Sequence, residues 1–335
     1  PLRNVWHLIH QMASCINLRF EQRLVSLQFT RGMSILLLVA FTGLPLMAAY
    51  LSNPSTFNAG WNEGKGSLVF AMVFLVIEAM DASFSVSMRK IVLALTMALV
   101  VSCIFFLDPQ PYRPLLDMGS YFGVKPELTN YSWHEFWVTL TFFLSTLTIV
   151  IFMAGLKQLR TFAFTSTYLV LTAIVLFADA LFPYDQLGAL QSVVPFLVSV
   201  ATSVAQSLHL VNMTSFGNTM LVDSGGTPKA LIVFWPSAGV HSVLIFTGIA
   251  VAFLLKRRIT GFKFLTYAFL GAIGTVCVNI IRIVLLVYCT AYYPPEYFQG
   301  FHNVVGETLF IPWLVVFMLI VHYIEMYLRN THKST

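Results

Sequence analysis

Residues 190–211 read LQSVVPFLVSVATSVAQSLHLV, and whether this segment crosses a membrane decides the fold. It is long enough to span as a helix, since about 20 apolar residues suffice. It also carries Gln191, Pro195, Gln206, His209 and a scatter of Ser and Thr. The answer comes from basic residues elsewhere, which gather on the cytoplasmic side of membrane proteins.

The surrounding chain is strongly apolar. Of 335 residues, 58% are hydrophobic and 10% charged, with a mean hydropathy of +0.79. A soluble domain carries about 25% charged residues, so most of this surface must face lipid. Eight further apolar runs can span: 33–51, 67–86, 91–107, 134–156, 162–182, 238–255, 263–289 and 303–328. Arg3, Arg19, Arg23 and Arg31 put the start inside. Arg89 and Lys90 then fall inside after two spans, and Lys157 and Arg160 after four. The fifth span ends outside near Phe182. If 190–211 crossed, the strongest basic cluster, Lys256-Arg257-Arg258, would lie outside. If it does not, that cluster lies inside, with Arg329 and Lys333.

The expected fold is therefore an all-α polytopic membrane protein with about eight spans. Residues 190–211 form an interfacial or re-entrant helix on the outer face, where mixed polarity fits. Residues 1–32 are expected as a cytoplasmic amphipathic arm, 33–328 as a single membrane-embedded domain and 329–335 as a cytoplasmic tail. Both termini face the cytoplasm of a cell-membrane protein. The outer segments are 52–66, 108–133, 183–237 and 290–302. They hold the sequons Asn130-Tyr-Ser132 and Asn212-Met-Thr214. Within 215–235, a turn at Asp223–Pro228 precedes a short apolar strand or helix lead-in at Ala230–Phe234.

Composition also excludes classes. The net charge of +5 sits at the ends of apolar runs, so it reports topology and not nucleic-acid binding. Cys15, Cys103, Cys277 and Cys289 show no C-x-x-C spacing, so no disulfide framework, metal or cofactor is expected. No cleavable signal peptide is expected in the sequence, which begins at Pro1.

Ionisable groups at membrane depth are costly and mark candidate sites. Glu78 and Asp81 share a helix face near the cytoplasmic end of their span, and a structural pairing with Arg89 or Lys90 is the favoured reading. Asp179 is read equally as a helix-end residue reaching water or as functional. Asn279 and Arg282, in VNIIRIV, are three apart on one face, an arrangement suited to holding something anionic. His302 and Glu307 flank the start of the last span, in FHNVVGETLF. Ser237 and His241 lie in WPSAGVH, at the outer start of the sixth span. Taken alone, Ser237 is a helix N-cap. Topology puts Ser237, Arg282 and His302 at one membrane level, where a nucleophile, a cation and a proton carrier could act together.

These residues resemble the exosortase and archaeosortase family of membrane transpeptidases. Ser237-Ala-Gly239 is similar to the family's C-[ST]-G nucleophile motif, with serine in place of cysteine. Asn279-Ile-Ile-Arg282 resembles its N-x-x-R motif, and His302-Asn-Val-Val-Gly306 its H-x-x-x-G motif. The resemblance covers about residues 160–325. It looks closest to the archaeal branch, to the thaumarchaeal type of ammonia-oxidising archaea with serine at the nucleophile position. It implies an intramembrane protease or transpeptidase acting near the outer face. Its partners would be substrate proteins ending in a short motif, a membrane helix and a basic cluster, and a membrane lipid as acceptor. Ser237, Arg282 and His302 would be catalytic, with Asn279, His241, Gly239 and Gly306 in support.

Serine needs a general base that a thiolate does not, since cysteine titrates near 8.5. His241 and His302 both qualify. Cys277 is a fallback nucleophile, deeper than Arg282 on another part of its helix. Two other readings remain open. One is a non-catalytic tail-binding or assembly subunit, favoured by the missing cysteine. The other is a small-solute transporter lined by Asn279, Arg282, Glu78 and Asp81. A rhomboid-like protease fits less well, since its G-x-S-G setting is absent.

Overall fold

The computed structural model describes residues 29–57, 65–129, 131–182, 191–224, 227–235 and 238–331, with backbone alone at Ser224, His241, Gln299, Asn303, Glu307 and 329–331. Residues 1–28 of the expected arm, Asn130, Ser237 and the tail beyond Thr331 lie outside the described residues, as do the side chains of His241 and Glu307.

Nine helices and one small sheet organise the described chain. They are α1 (Arg31–Ser52), α2 (Gly66–Asp81), α3 (Met88–Phe106), α4 (Ser132–Ala154), α5 (Ala163–Leu181), α6 (Val194–Ser207), β1 (Met213–Phe216), β2 (Thr219–Ser224), β3 (Thr227–Ile232), α7 (Val240–Lys256), α8 (Gly261–Tyr292) and α9 (Pro295–Thr331), with short helical turns between. The chain is thus an all-α polytopic membrane protein carrying one small sheet. Among the described residues, six stretches are long and apolar enough to cross a bilayer: Arg31–Ser52, Met88–Phe106, Pro126–Ala154, Leu156–Leu181, Gly261–Tyr292 and Pro295–Leu328. The segments expected at 67–86 and 238–255 form the shorter helices α2 and α7. After Asp81 the backbone leaves the helix, and α7 starts only after a left-handed Gly239 at φ +87.

Two compact units divide the chain. The first comprises Pro1–Pro54, Val69–Pro111 and Thr141–Ser166. Its core runs along single helix stripes. Ile91, Ala94, Ala98, Val101 and Phe105 recur every three or four residues on α3, and the alanines let α1 approach closely. Leu38 and Phe41 from α1, Leu75 and Ala79 from α2, and Ile149 and Met153 complete it. Pro45 sits inside α1, which membrane helices tolerate when freed backbone groups find other partners.

Two charged groups of this unit, Glu78 and Arg31, serve helix ends. Glu78 is fully buried, and its carboxylate accepts from Phe164 N at 2.7 Å, Thr165 N at 3.0 Å and Thr165 Oγ1 at 2.8 Å. It therefore caps the first turn of α5, where unsatisfied N–H groups and the helix dipole favour an anion. Arg31 does the reverse at the end of α2. Its Nε donates to Ala82 O at 2.9 Å and its Nη2 to Met80 O at 2.6 Å. This corrects the expected pairing within 78–90: the partner of Glu78 is a helix start 86 residues away, and Asp81 is exposed.

The second unit comprises Ser55–Leu68, Tyr112–Leu140 and Thr167–Thr335. Here α7, α8 and α9 pack together. Gly274 is required by contact: a Cβ there would lie 2.0 Å from the Trp313 ring. Trp313 Nε1 donates to Thr275 Oγ1 at 3.0 Å, and Phe246 stacks on Trp313 at 6.0 Å between centroids. Farther along, Lys263 and Tyr267 converge on Glu325, at 3.2 and 2.9 Å. Asp179 does not reach water. It is buried and accepts a hydrogen bond from the Ser132 hydroxyl.

Residues 190–211 contain α6, whose 14 residues are too few to span. Its buried stripe of Val194, Leu197, Val198, Ala201 and Ala205 packs on Met213, Met220 and Val222 of the sheet and on Ile283, Val284 and Val287 of α8. The expected short apolar strand is β3, and it belongs to a sheet of three antiparallel strands in the order β1-β2-β3. Gly217-Asn218 forms a two-residue hairpin loop, with φ +61 at its first position, where a type II′ turn calls for glycine.

Candidate active site

The segment that leads into α7 is held on both sides of Ser237. On the near side, Gln191 inserts its side-chain amide against the backbone. Its Oε1 accepts from Trp235 N at 2.9 Å, and its Nε2 makes a long contact of 3.4 Å to Val233 O. Trp235 itself is fully buried. Two turn bonds then fold the chain, Ala238 N to Phe234 O at 2.7 Å and Val240 N to Trp235 O at 3.4 Å. On the far side, Asn279 Nδ2 donates to Gly239 O at 3.0 Å.

Two separate constraints fix Gly239. Its φ of +87 lies in the left-handed region that disfavours side chains. A Cβ there would also sit 2.0 Å from Asn279 Cγ. The glycine of the Ser-Ala-Gly triplet thus lets the start of α7 lie directly on the Asn279 amide.

Asn279 belongs to a polar stripe on α8. Thr275, Asn279 and Arg282 are each at most 4% exposed and stand three or four residues apart, on one face. Arg282 lies one turn beyond Asn279. Its guanidinium packs against α9 at Gly306, where a Cβ would lie 3.2 Å from both Cζ and Nε and 3.4 Å from Nη2. Glycine at 306 allows this backbone approach to a planar cation. His302 stands one turn before Gly306 on α9, half-buried, with its ring 5.9 Å from that of Phe298.

Two segments far apart in sequence thus meet the same helix. Gly239 meets Asn279, Gly306 meets Arg282, and His302 lies on the turn preceding Gly306. Cys277 is exposed, and Glu78 and Asp81 belong to the first unit. Among the described residues, no three His, Cys, Asp or Glu side chains are grouped to hold a metal.

Sequence reasoning missed two supports. Gln191 counted only as a polar residue against spanning, and nothing local announces an amide that clamps a backbone 44 residues away. Lys229 on β3 reaches Thr290 O in the last turn of α8 at 2.8 Å, where a cation opposes the negative end of the helix dipole. The Gly-Asn pair at 217–218 between alternating residues was the available signal for the β1–β2 hairpin of the same sheet.

Residues 118–320 match the family model described as transmembrane exosortase. The match includes Ser237, Asn279, Arg282, His302 and Gly306 and reaches further toward the N-terminus than the motif resemblance. No curated protein and no solved structure matches the chain. With more than half of its residues in that match, the chain belongs to the transmembrane exosortase family.

Proposed function

We propose that this protein is a sortase-like intramembrane protease or transpeptidase that uses Ser237 as nucleophile. Family membership supports a membrane transpeptidase-like role in general. The serine, the substrate and the acceptor are our reading. Its substrates are surface proteins with a C-terminal motif, apolar helix and basic cluster, cut near the outer face and passed to a membrane lipid. The observation that carries this reading is the meeting of the three motif segments on one buried face of α8.

In this mechanism, Ser237 Oγ attacks the scissile carbonyl and gives its proton to a histidine, His302 or His241. Arg282 faces the developing oxyanion as a preorganised cation in a site away from bulk water. The C–N bond breaks, the imidazolium protonates the departing amine, and an ester to Ser237 remains. A lipid hydroxyl then attacks that ester, its proton passing to the same imidazole, and Ser237 is released with its hydroxyl restored. Asn279 contributes by fixing Gly239, and so the chain that carries Ser237. The transporter reading draws on Glu78, whose carboxylate is already engaged in capping α5. A tail-binding subunit would keep substrate affinity without turnover, which the same experiment detects.

The test pairs Ser237→Ala with Ser237→Cys against tail-bearing substrates in membranes. Ser237→Ala is expected to abolish processing, and Ser237→Cys to retain or raise it. Processing at the normal rate by Ser237→Ala would remove Ser237 from the mechanism.

A further inference from the structure

The sheet has two edges, and among the described residues only one is closed. The bonds Val233 N to Asn218 O and Asp223 N to Asn212 O set the phase of both ladders. With the registers Lys229↔Val222 and Leu231↔Met220, the backbone groups of Lys229 and Leu231 point into the sheet. Those of Ala230 and Ile232 point out of it, along the free side of β3. Pro228 shares their phase, so its missing N–H costs the ladder nothing. On the opposite edge, the outward carbonyl of Met213 is taken by Gln206 Nε2 at 2.8 Å, and α6 packs against β1. Ala230 and Ile232 are exposed, and no hydrogen bond engages their outward groups among the described residues.

This open edge leads straight into the candidate nucleophile. Ser237 follows Ile232 by five residues, at most about 17 Å of extended chain. A scissile carbonyl must be free on both faces for attack, so the peptide around it cannot be helical, and its own N–H and C=O groups then need partners near the membrane. A strand edge supplies such partners, as in other cases of strand addition.

We propose that the substrate's sorting motif binds as a fourth strand on β3, pairing with the N–H and C=O groups of Ala230 and Ile232. The occupant is an extended peptide, because the unfilled groups on this edge are backbone donors and acceptors in strand spacing. Lys229, anchored to Thr290, holds the edge in place relative to α8. This proposal rests on the function stated above and concerns how the same site reads its substrate.

The test uses fluorescent synthetic tails, one from every protein of the same genome that ends in a short motif, an apolar helix and a basic cluster. Binding is measured to the full-length Ser237→Ala protein in nanodiscs, and cleavage with the unaltered protein. Ala230→Pro removes one outward N–H without touching the inner ladder, and Ala230→Val keeps it. Ala230→Pro should weaken binding about tenfold, the scale of one well-made hydrogen bond, with kcat retained. Ala230→Val should bind within about twofold of the parent. N-methylation of single tail residues should weaken binding at every second position only. If tails bind and are cleaved but Ala230→Pro binds normally and the N-methyl scan shows no alternation, strand addition is wrong and the proposed function stands. If no tail binds or is cleaved, both are wrong. Should Ala230→Pro lose its native circular dichroism, the N-methyl scan on the unaltered edge decides alone.

Discussion

The first unit and the α8 region both bury polar groups, yet they use them differently. Buried Glu78, like the exposed Arg31, meets the end of a helix, where backbone groups lack intrahelical partners. Asn279 and Arg282 sit in the interior of a 32-residue helix whose backbone there is already satisfied. Their side chains are turned toward other chain segments, Gly239 and Gly306. A buried charge at a helix terminus thus has a structural account ready to hand. One in mid-helix faces other chain segments instead, and that contrast marks the candidate site more clearly than charge or burial alone. The family match begins at residue 118 and so leaves Glu78 and Arg31 outside it.

The comparison breaks if the mid-helix cation proves structural. Arg282→Gln should lower kcat by about 100- to 1,000-fold, the range for losing one transition-state donor, while thermal unfolding in detergent stays near that of the parent. A large fall in melting temperature with little change in turnover per folded molecule would reverse the assignment. Arg282→Lys should not rescue, because a point charge does not reproduce a planar, multidentate donor. The converse experiment is Glu78→Ala. It should cost about 3 kcal/mol of stability, since charged hydrogen bonds are lost and buried donors left bare, with activity per folded molecule preserved. A transporter would instead lose flux at Glu78, measured in proteoliposomes. The smallest effect is expected at Gly306→Ala. The added methyl pushes the guanidinium by a few tenths of an ångström, and a threefold to tenfold loss of kcat is expected on the scale of about 100-fold per ångström of misplacement. An unchanged kcat would mean that the position of Arg282 is not critical.

Much of this was legible in the sequence, for reasons that differ by element. Lipid leaves a spanning backbone no partner but itself, so helices such as α1 and α8 appear as long apolar runs. That 190–211 does not cross was inferred indirectly, from where Lys256-Arg257-Arg258 must lie. The spacing of Asn279 and Arg282 needed only the helical repeat. The sheet was harder, because its strands are four to six residues long and mix Thr, Ser and Met in weak alternation. The partners of Glu78, Gln191 and Lys229 were beyond sequence reading altogether. Each is a contact across 42 to 87 residues to a backbone group, and a backbone group carries no residue-type signature.

The cap on α5 bears on the order in which the chain is made. Glu78 leaves the ribosome 86 residues before Phe164, so its carboxylate is already present when the first turn of α5 emerges. The N–H groups of that turn then meet a prepared acceptor. A circular permutation that made α5 before α2 would keep every native contact and still expose this helix start during insertion.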